Sequence, residues 1–241
     1  VFCTSVGLMV MFMCGRFHLM LYMDCPLVSQ LCYAMTLSQL HKAEVFERFS
    51  EEEILKYAGQ FDGTICGDDR YTRRVIEACV PRLRVISKWG TGIDSIDQSA
   101  AADLGVIVGN TPNAFTVPVS ESVIGYMLAF ARQLPWLNAA MKAEQWDKIN
   151  GKTLAESTLG VIGVGNVGKA VIRRARPFGM KMLGNDIVDI APDFILEQGL
   201  EMTRLEDLLS QADFISINCN LNPTSHHLIN AERLALCKSG A

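Results

Sequence analysis

A chain of 241 residues that is 49% hydrophobic and 20% charged has ample material for the core of a soluble protein of one large or two ordinary domains. Its formal net charge of −4 supplies no basic field for DNA, RNA or an anionic membrane, so nucleic acid is not an expected partner. Eight cysteines (Cys3, Cys14, Cys25, Cys32, Cys66, Cys79, Cys219, Cys237) are scattered without a Cys-x-x-Cys pair. They read as reduced, small apolar residues, which favours the cytosol and offers no metal site.

Residues 1–15 carry no charge, and the apolar run continues past Arg16 through 17–23. A spanning helix needs about 20 apolar residues, and Arg16 and His18 interrupt this one. A signal peptide carries its positive charge ahead of the apolar stretch, and here the charge follows it. The expectation is a buried first strand within 17–23, preceded by an extension of no assigned role, rather than a membrane span. Ser50-Glu51-Glu52-Glu53 is a capping box that opens a helix running to about Ala58. Then follow a strand at 63–66, a helix near 72–79 ahead of Pro81, a strand at 84–87, a short helix at 99–104 ended by Gly105, and a strand at 106–108. Strands alternating with helices predict a parallel sheet with helices on both faces, here as one domain over residues 1–112.

A long apolar helix is expected at 117–132, stopped by Pro135, and a second at 136–146, with no strand between them. They read as the bridge into a second domain, 113–241. That domain's first strand, 158–162, is the continuous apolar run of a strand buried on both faces. A helix at 167–178, a strand at 181–185, a helix near 193–198, a short strand near Glu201, a helix at 205–211 and a strand at 214–218 complete it. There is no internal repeat and no low-complexity tract.

Gly163-Val164-Gly165-Asn166-Val167-Gly168 is a G-x-G-x-x-G motif placed directly after a buried strand and opening a helix. In that setting Gly163 permits the tight turn, Gly165 lets the backbone approach a pyrophosphate, and Gly168 lets helix and strand pack closely. The helix start adds free N–H groups and a partial positive charge, with Asn166 and Val167 best placed to donate to phosphate. Asp186 lies 18 residues after Gly168, at the end of the next strand. A carboxylate there accepts from an adenosine ribose and repels a 2′-phosphate, and the following Ile187 and Val188 supply no arginine. NAD is favoured over NADP.

Several blocks in order resemble the D-isomer-specific 2-hydroxyacid dehydrogenases, the family that includes phosphoglycerate dehydrogenase. They are Trp89-Gly90-Thr91-Gly92-Ile93-Asp94-Ser95-Ile96-Asp97, Asn110-Thr111-Pro112, Val119-Ser120-Glu121, and Leu159-Gly160-Val161-Ile162 leading into the glycine motif. Asn222-Pro223-Thr224 with His227-Leu228-Ile229-Asn230 resembles the family's connection after the fourth strand of its nucleotide domain. The likeness covers roughly 60–241. It implies an α/β protein with a flavodoxin-like substrate domain and a Rossmann-type, doubly wound NAD-binding domain. That second domain would have strand order 3-2-1-4 and be incomplete after its fourth strand. Such proteins move a hydride between nicotinamide and C2 of a small 2-hydroxy or 2-keto acid, and the complete member is expected to be a homodimer. Gly90, Thr91 and Gly92 would present N–H groups to the substrate carboxylate as an anion-binding nest, and Thr91 would also face the cofactor. Cys219 matches a position lining the adenosine site, and a buried apolar cysteine is an equal alternative.

The resemblance further implies an arginine, a histidine and a glutamate that act on the keto acid beyond Ala241, so no residue here is assigned as catalytic. An alkoxide formed or consumed at C2 needs a proton partner with a pKa near neutrality. His18, His41, His226 and His227 are not given that role. Arg132, Arg173, Arg174 and Arg176 read as solvated or ion-paired helix residues. Lys88 could neutralise a second anionic group on the substrate, but reads first as a solvated surface lysine. Trp89 is either pocket wall or core. An NAD-binding module or sensor without catalysis, and a structural remnant that neither folds fully nor binds, are the competing readings.

Overall fold

The computed structural model describes residues 18–21, 40–43, 48–146, 148 and 150–241. The leader at 1–15, and Cys3, Cys14, Cys25 and Cys32, lie outside the described residues. The chain divides into two compact units, Val1–Pro112 and Asn113–Ala241.

The first unit holds a five-stranded sheet in the order β2-β1-β3-β4-β5, with β1 His18–Leu21, β2 Leu40–Ala43, β3 Gly63–Cys66, β4 Val85–Lys88 and β5 Ile107–Gly109. The parallel pattern read from the sequence holds for β3, β4 and β5. The strands β1 and β2 join antiparallel, so the sheet is mixed. Helix α1 (Glu51–Leu55) begins with the expected capping box: Glu53 Oε2 accepts from the Ser50 N–H at 2.7 Å, and Ser50 Oγ accepts from the Glu53 N–H at 3.4 Å. It stops short of Ala58 because Tyr57 and Ala58 donate only three residues back, to Ile54 and Leu55, tightening the chain into the left-handed Gly59. Thr72 caps α2 (Arg73–Cys79) and Asp97 caps α3 (Gln98–Asp103). The core is Ile54 of α1, Phe61, Val75, Ile76 and Cys79 of α2, Leu83, and Ile86 of β4, all essentially sealed from water. Each large side chain buried this way is worth about 1.5–3 kcal/mol of transfer free energy.

The second unit opens with α4 (Thr116–Ala131) and α5 (Leu134–Lys142). Pro135, read from the sequence as the stop of the first helix, instead sits in the first turn of α5, where its missing N–H costs nothing. The break is made by Gln133, whose φ of 53° is left-handed. The second helix ends before Trp146 because Glu144 also turns left-handed, at φ 58°. Of α4 only Ser120, Met127 and Ala131 are buried, and α5 buries no residue. No helix among the described residues is long and apolar enough to cross a membrane.

The four-stranded parallel sheet that follows has the order β8-β7-β6-β9, with β6 Thr158–Ile162, β7 Lys181–Asn185, β8 Leu200–Met202 and β9 Phe214–Ile217. In order of appearance that is 3-2-1-4, as expected. Helices α6 (Asn166–Ala175), α7 (Pro192–Gln198) and α8 (Leu205–Gln211) connect the strands, and a last turn, α9 (Ala231–Leu234), follows β9. Side chains alternate across β6. Leu159 and Val161 enter a core with Val171, Ile172 and Ala175 of α6, and Ile162 enters another with Leu208 and Leu209 of α8. Gly160 faces α8 as well, and a Cβ there would fall 2.4 Å from Leu208 Cδ2, so the helix lies directly on the strand.

Leu208 is fully buried on that face whereas Leu196 of α7 is 84% exposed. Leu208→Ala is therefore expected to cost about 2–5 kcal/mol, and Leu196→Ala less than about 0.5 kcal/mol. Urea denaturation followed by far-ultraviolet circular dichroism measures both, and equal midpoint shifts would contradict this packing.

Candidate functional site

The turn after β6 is built from three glycines with three separate steric reasons. Gly163 has φ 86°, and a Cβ there would meet Cys219 N at 2.7 Å, so the turn presses on the backbone leaving β9. At Gly168 a Cβ would lie 2.1 Å from Gly163 O, so the first turn of α6 sits on the loop itself. Gly165, the N-cap of α6, has nothing within 4 Å of such an atom. The protein does not need that space for its own packing; it lies open beside the unpaired N–H groups of a helix start.

Asp186, just past β7, touches this loop directly. Its Oδ2 accepts from the Val164 N–H at 2.6 Å, and its Oδ1 from the Val188 N–H at 3.1 Å. The carboxylate thus orients the glycine turn in addition to whatever it meets in solution. Ile187 and Val188 beside it are 80% and 62% exposed, with no cation among them. Asn166 Nδ2 donates to Asn113 Oδ1, and Asn113 itself is left-handed at φ 65°. Val167 packs against the core beneath α6. Cys219 is an exposed free thiol, unlike Cys66 and Cys79, which are buried. Burial pushes the Cys66 thiol up to about 12, and raises Cys79 as well.

In the first unit the loop after β4 carries Gly90, Thr91 and Gly92. Gly90 is held from both sides by Thr111: its N–H donates to Thr111 Oγ1 at 3.0 Å, and its carbonyl accepts from the Thr111 N–H at 3.1 Å. The Asn110 amide donates to Thr91 O at 2.8 Å. Thr91 and Gly92 N–H groups have no acceptor among the described residues, so the free donors of this loop are two rather than three. Asp94 lies close by, with Oδ1 3.0 Å from where a Gly92 Cβ would stand. Trp89 is 47% exposed, at the edge of the loop rather than in the core.

Lys88 is a correction to the sequence reading. It is not solvated: its side chain is 5% exposed, and Nζ donates to Gly67 O, to Asp68 Oδ1 at 2.6 Å and to Ser95 Oγ at 3.4 Å. The signal was present in the period of β4, since Lys88 shares a face with the fully buried Ile86. Sequence reasoning placed Thr111 in a motif without seeing its hold on Gly90 and missed Asn113 altogether, because both act through tertiary contacts with loops far along the chain. The remaining candidates fall outside these loops. His226 and His227 pack edge to face on the surface with ring centroids 3.9 Å apart. Arg174 pairs with Glu121 at 3.7 Å, and Arg173 lies over the Phe194 ring at 5.1 Å. The described residues contain no group of three or more His, Cys, Asp or Glu able to hold a metal.

Two family models match the chain. Residues 26–182 match the catalytic domain of the D-isomer specific 2-hydroxyacid dehydrogenases, and residues 124–241 match their NAD binding domain. The chain is 36% identical over 209 residues to a D-3-phosphoglycerate dehydrogenase of Methanocaldococcus jannaschii, covering 85% of this chain and 40% of that protein. It is 34% identical over 197 residues to a hydroxypyruvate reductase of Thermotoga maritima, covering 80% of this chain and 63% of the relative. Among solved structures it is similar to a D-lactate dehydrogenase from Aquifex aeolicus in complex with NAD and lactic acid. The TM-score there is 0.70 at 28% identity, over 76% of this chain and 56% of that one. The chain thus spans about two fifths of the length of the phosphoglycerate dehydrogenases it matches.

The glycine geometry predicts opposite stability effects within one motif. Gly168→Ala forces a methyl group onto Gly163 O and is expected to destabilise by more than about 2 kcal/mol. Gly165→Ala meets open space and is expected to shift the melting temperature little. Thermal melts of the two variants decide it: a tolerated Gly168→Ala would mean that α6 does not rest on the loop.

Proposed function

The chain belongs to the D-isomer specific 2-hydroxyacid dehydrogenase family, and we propose that the protein transfers a hydride between the nicotinamide of NAD and C2 of a small 2-hydroxy or 2-keto acid. The observation that carries this reading is the open space at Gly165, beside a helix start and a loop pinned by Asp186. NAD, when bound, supplies the hydride acceptor or donor. In this proposal Gly163 and Gly168 hold the turn, and Gly165 leaves room for the pyrophosphate. The N–H groups of Asn166 and Val167 face the phosphates. Asp186, already fixed by the Val164 and Val188 N–H groups, accepts from the adenosine ribose with lone pairs that remain. Cys219 lines the adenosine side. In the first unit Thr91 and Gly92 donate to the substrate carboxylate, Gly90 is the residue that Thr111 locks to shape them, and Thr91 also faces the cofactor. No residue of this chain is assigned as the proton partner at C2.

The same reading extends to assembly and place. A helix that buries none of its residues, with Leu134, Trp136 and Met141 each at least 50% exposed, is a surface that water disfavours. Tyr126 and Phe130 of α4 extend it, and the Phe130 and Trp136 rings meet at 5.6 Å. We propose that a second copy of the chain covers it in a homodimer. The free thiols of Cys66, Cys79, Cys219 and Cys237 suit a reducing compartment, and we propose a cytosolic protein.

Fluorescence titration at fixed salt is expected to show tighter binding of NADH than of NADPH. Asp186→Ala should weaken NADH by about 1–3 kcal/mol, and more than it weakens NADPH. Gly165→Val should abolish binding of both. Equal or tighter NADPH binding would sink the role given to Asp186. A protein that binds NADH yet never oxidises it with any 2-keto acid would be the non-catalytic module instead. For the dimer, sedimentation velocity should give twice the chain mass, and Trp136→Glu should shift it to the monomer. A wild-type monomer across the concentration range removes that part of the proposal.

A further inference from the structure

We propose that the acid taken at the Gly90–Gly92 loop carries no anionic group besides its own carboxylate, and that the Lys88–Asp68 pair sets this limit. The proposal rests on the reading of that loop as the substrate's carboxylate site. A phosphate or second carboxylate on the substrate tail needs a cation to receive it, because a desolvated anion without a partner is costly. Lys88 is two residues ahead of Gly90 in the chain, and a Cβ on Gly90 would lie 3.3 Å from Lys88 Cε, so the lysine stem runs directly against the loop. Its ammonium, however, is already consumed. An ammonium has three N–H donors, and Gly67 O, Asp68 Oδ1 and Ser95 Oγ are the three acceptors that take them. With a side chain only 5% exposed, Lys88 would have to abandon all three to reach a ligand.

What the loop presents outward is therefore acidic. The Asp68 side chain is 83% exposed, with Oδ1 turned to Lys88 and the rest of the carboxylate at the surface. Asp94 is exposed too, and its Oδ1 stands beside Gly92, next to the free N–H groups. Arg70 is the other cation of this region; it is exposed and makes no ion pair among the described residues. Across 67–71 and 88–95, Arg70 and Lys88 stand against Asp68, Asp69 and Asp94, so the formal balance is negative. One carboxylate can be received by two backbone N–H donors in such surroundings. A second anion there meets like charge. The tail that fits is neutral.

The test is calorimetric titration of the purified protein, saturated with NAD+ so that no hydride is transferred, with hydroxypyruvate, phosphohydroxypyruvate and oxaloacetate. Hydroxypyruvate should bind at least about tenfold more tightly than either dianionic tail, the factor that a modest like-charge penalty produces. Asp68→Asn leaves Lys88 unopposed and should narrow that gap by tightening the two dianions. Lys88→Met leaves Asp68 unopposed and should widen it, so the two variants move in opposite directions and folding damage alone cannot imitate the pattern. Equal or tighter binding of phosphohydroxypyruvate or oxaloacetate by the wild type overturns the proposal. So does a gap that Asp68→Asn leaves unchanged, or second-anion binding that Arg70→Gln abolishes. If hydroxypyruvate fails to bind while NAD+ still does, the carboxylate reading of the loop falls and takes this limit with it. If hydroxypyruvate binds and only the discrimination is missing, the parent reading stands and the limit alone is wrong.

Discussion

Everything in the second unit is arranged around the contact between the first turn of α6 and the turn it leaves from. A side chain at residue 168 would have to occupy space 2.1 Å from Gly163 O, so only hydrogen lets the helix approach. That approach seats Val171, Ile172 and Ala175 over Leu159 and Val161, and aims the open end of the helix past the edge of β6. The Asp186 carboxylate then fixes the intervening peptide through the Val164 N–H. Packing against strand backbone and a charge-assisted hydrogen bond act on the same few residues, which makes the loop rigid before any ligand arrives.

The loop after β4 uses the same construction with different chemistry. It too lies at the carboxyl end of a parallel strand, the place where α/β sheets gather ligands. It too is held by a residue distant in sequence, Thr111, which exchanges two hydrogen bonds with Gly90. The buried Lys88 ties the ends of β3 and β4 together through Gly67, Asp68 and Ser95. Removing Asp68 is costly, since it leaves the buried Lys88 ammonium without its counter-charge.

Local pattern made the second unit legible. The bounds of β6, β7 and α8 coincide with those read from apolar runs and turn residues, because these segments are short, strongly apolar and punctuated by glycine or polar caps. The glycine motif was readable for the same reason, since Gly163 takes a left-handed turn and Gly168 rests on Gly163 O within the motif itself. What was not legible depends on contacts the chain makes with itself at long range. β1 pairs antiparallel with β2 on one side and with β3, dozens of residues along the chain, on the other, and no periodicity announces that direction. Lys88 looked like a surface residue because lysine usually is one, and its carboxylate partner lies 20 residues earlier. The left-handed Gln133, which ends α4, carries no glycine signal, and Pro135, read as the stop, put the start of α5 at 136 instead of Leu134.

The cores of the two units share no residue: Ile54, Phe61 and Ile86 belong to one, and Leu159, Ile172 and Leu208 to others. Each core is thus a separate source of buried apolar contacts, built from residues of one unit alone. Mass action sharpens the point, because a ligand held only by residues of the second unit stabilises that unit by RT ln(1 + [L]/Kd), about 2.7 kcal/mol at a hundredfold excess over Kd. The melting temperature of that unit rises with ligand concentration. That shift is thus itself a reading of how much ligand is bound.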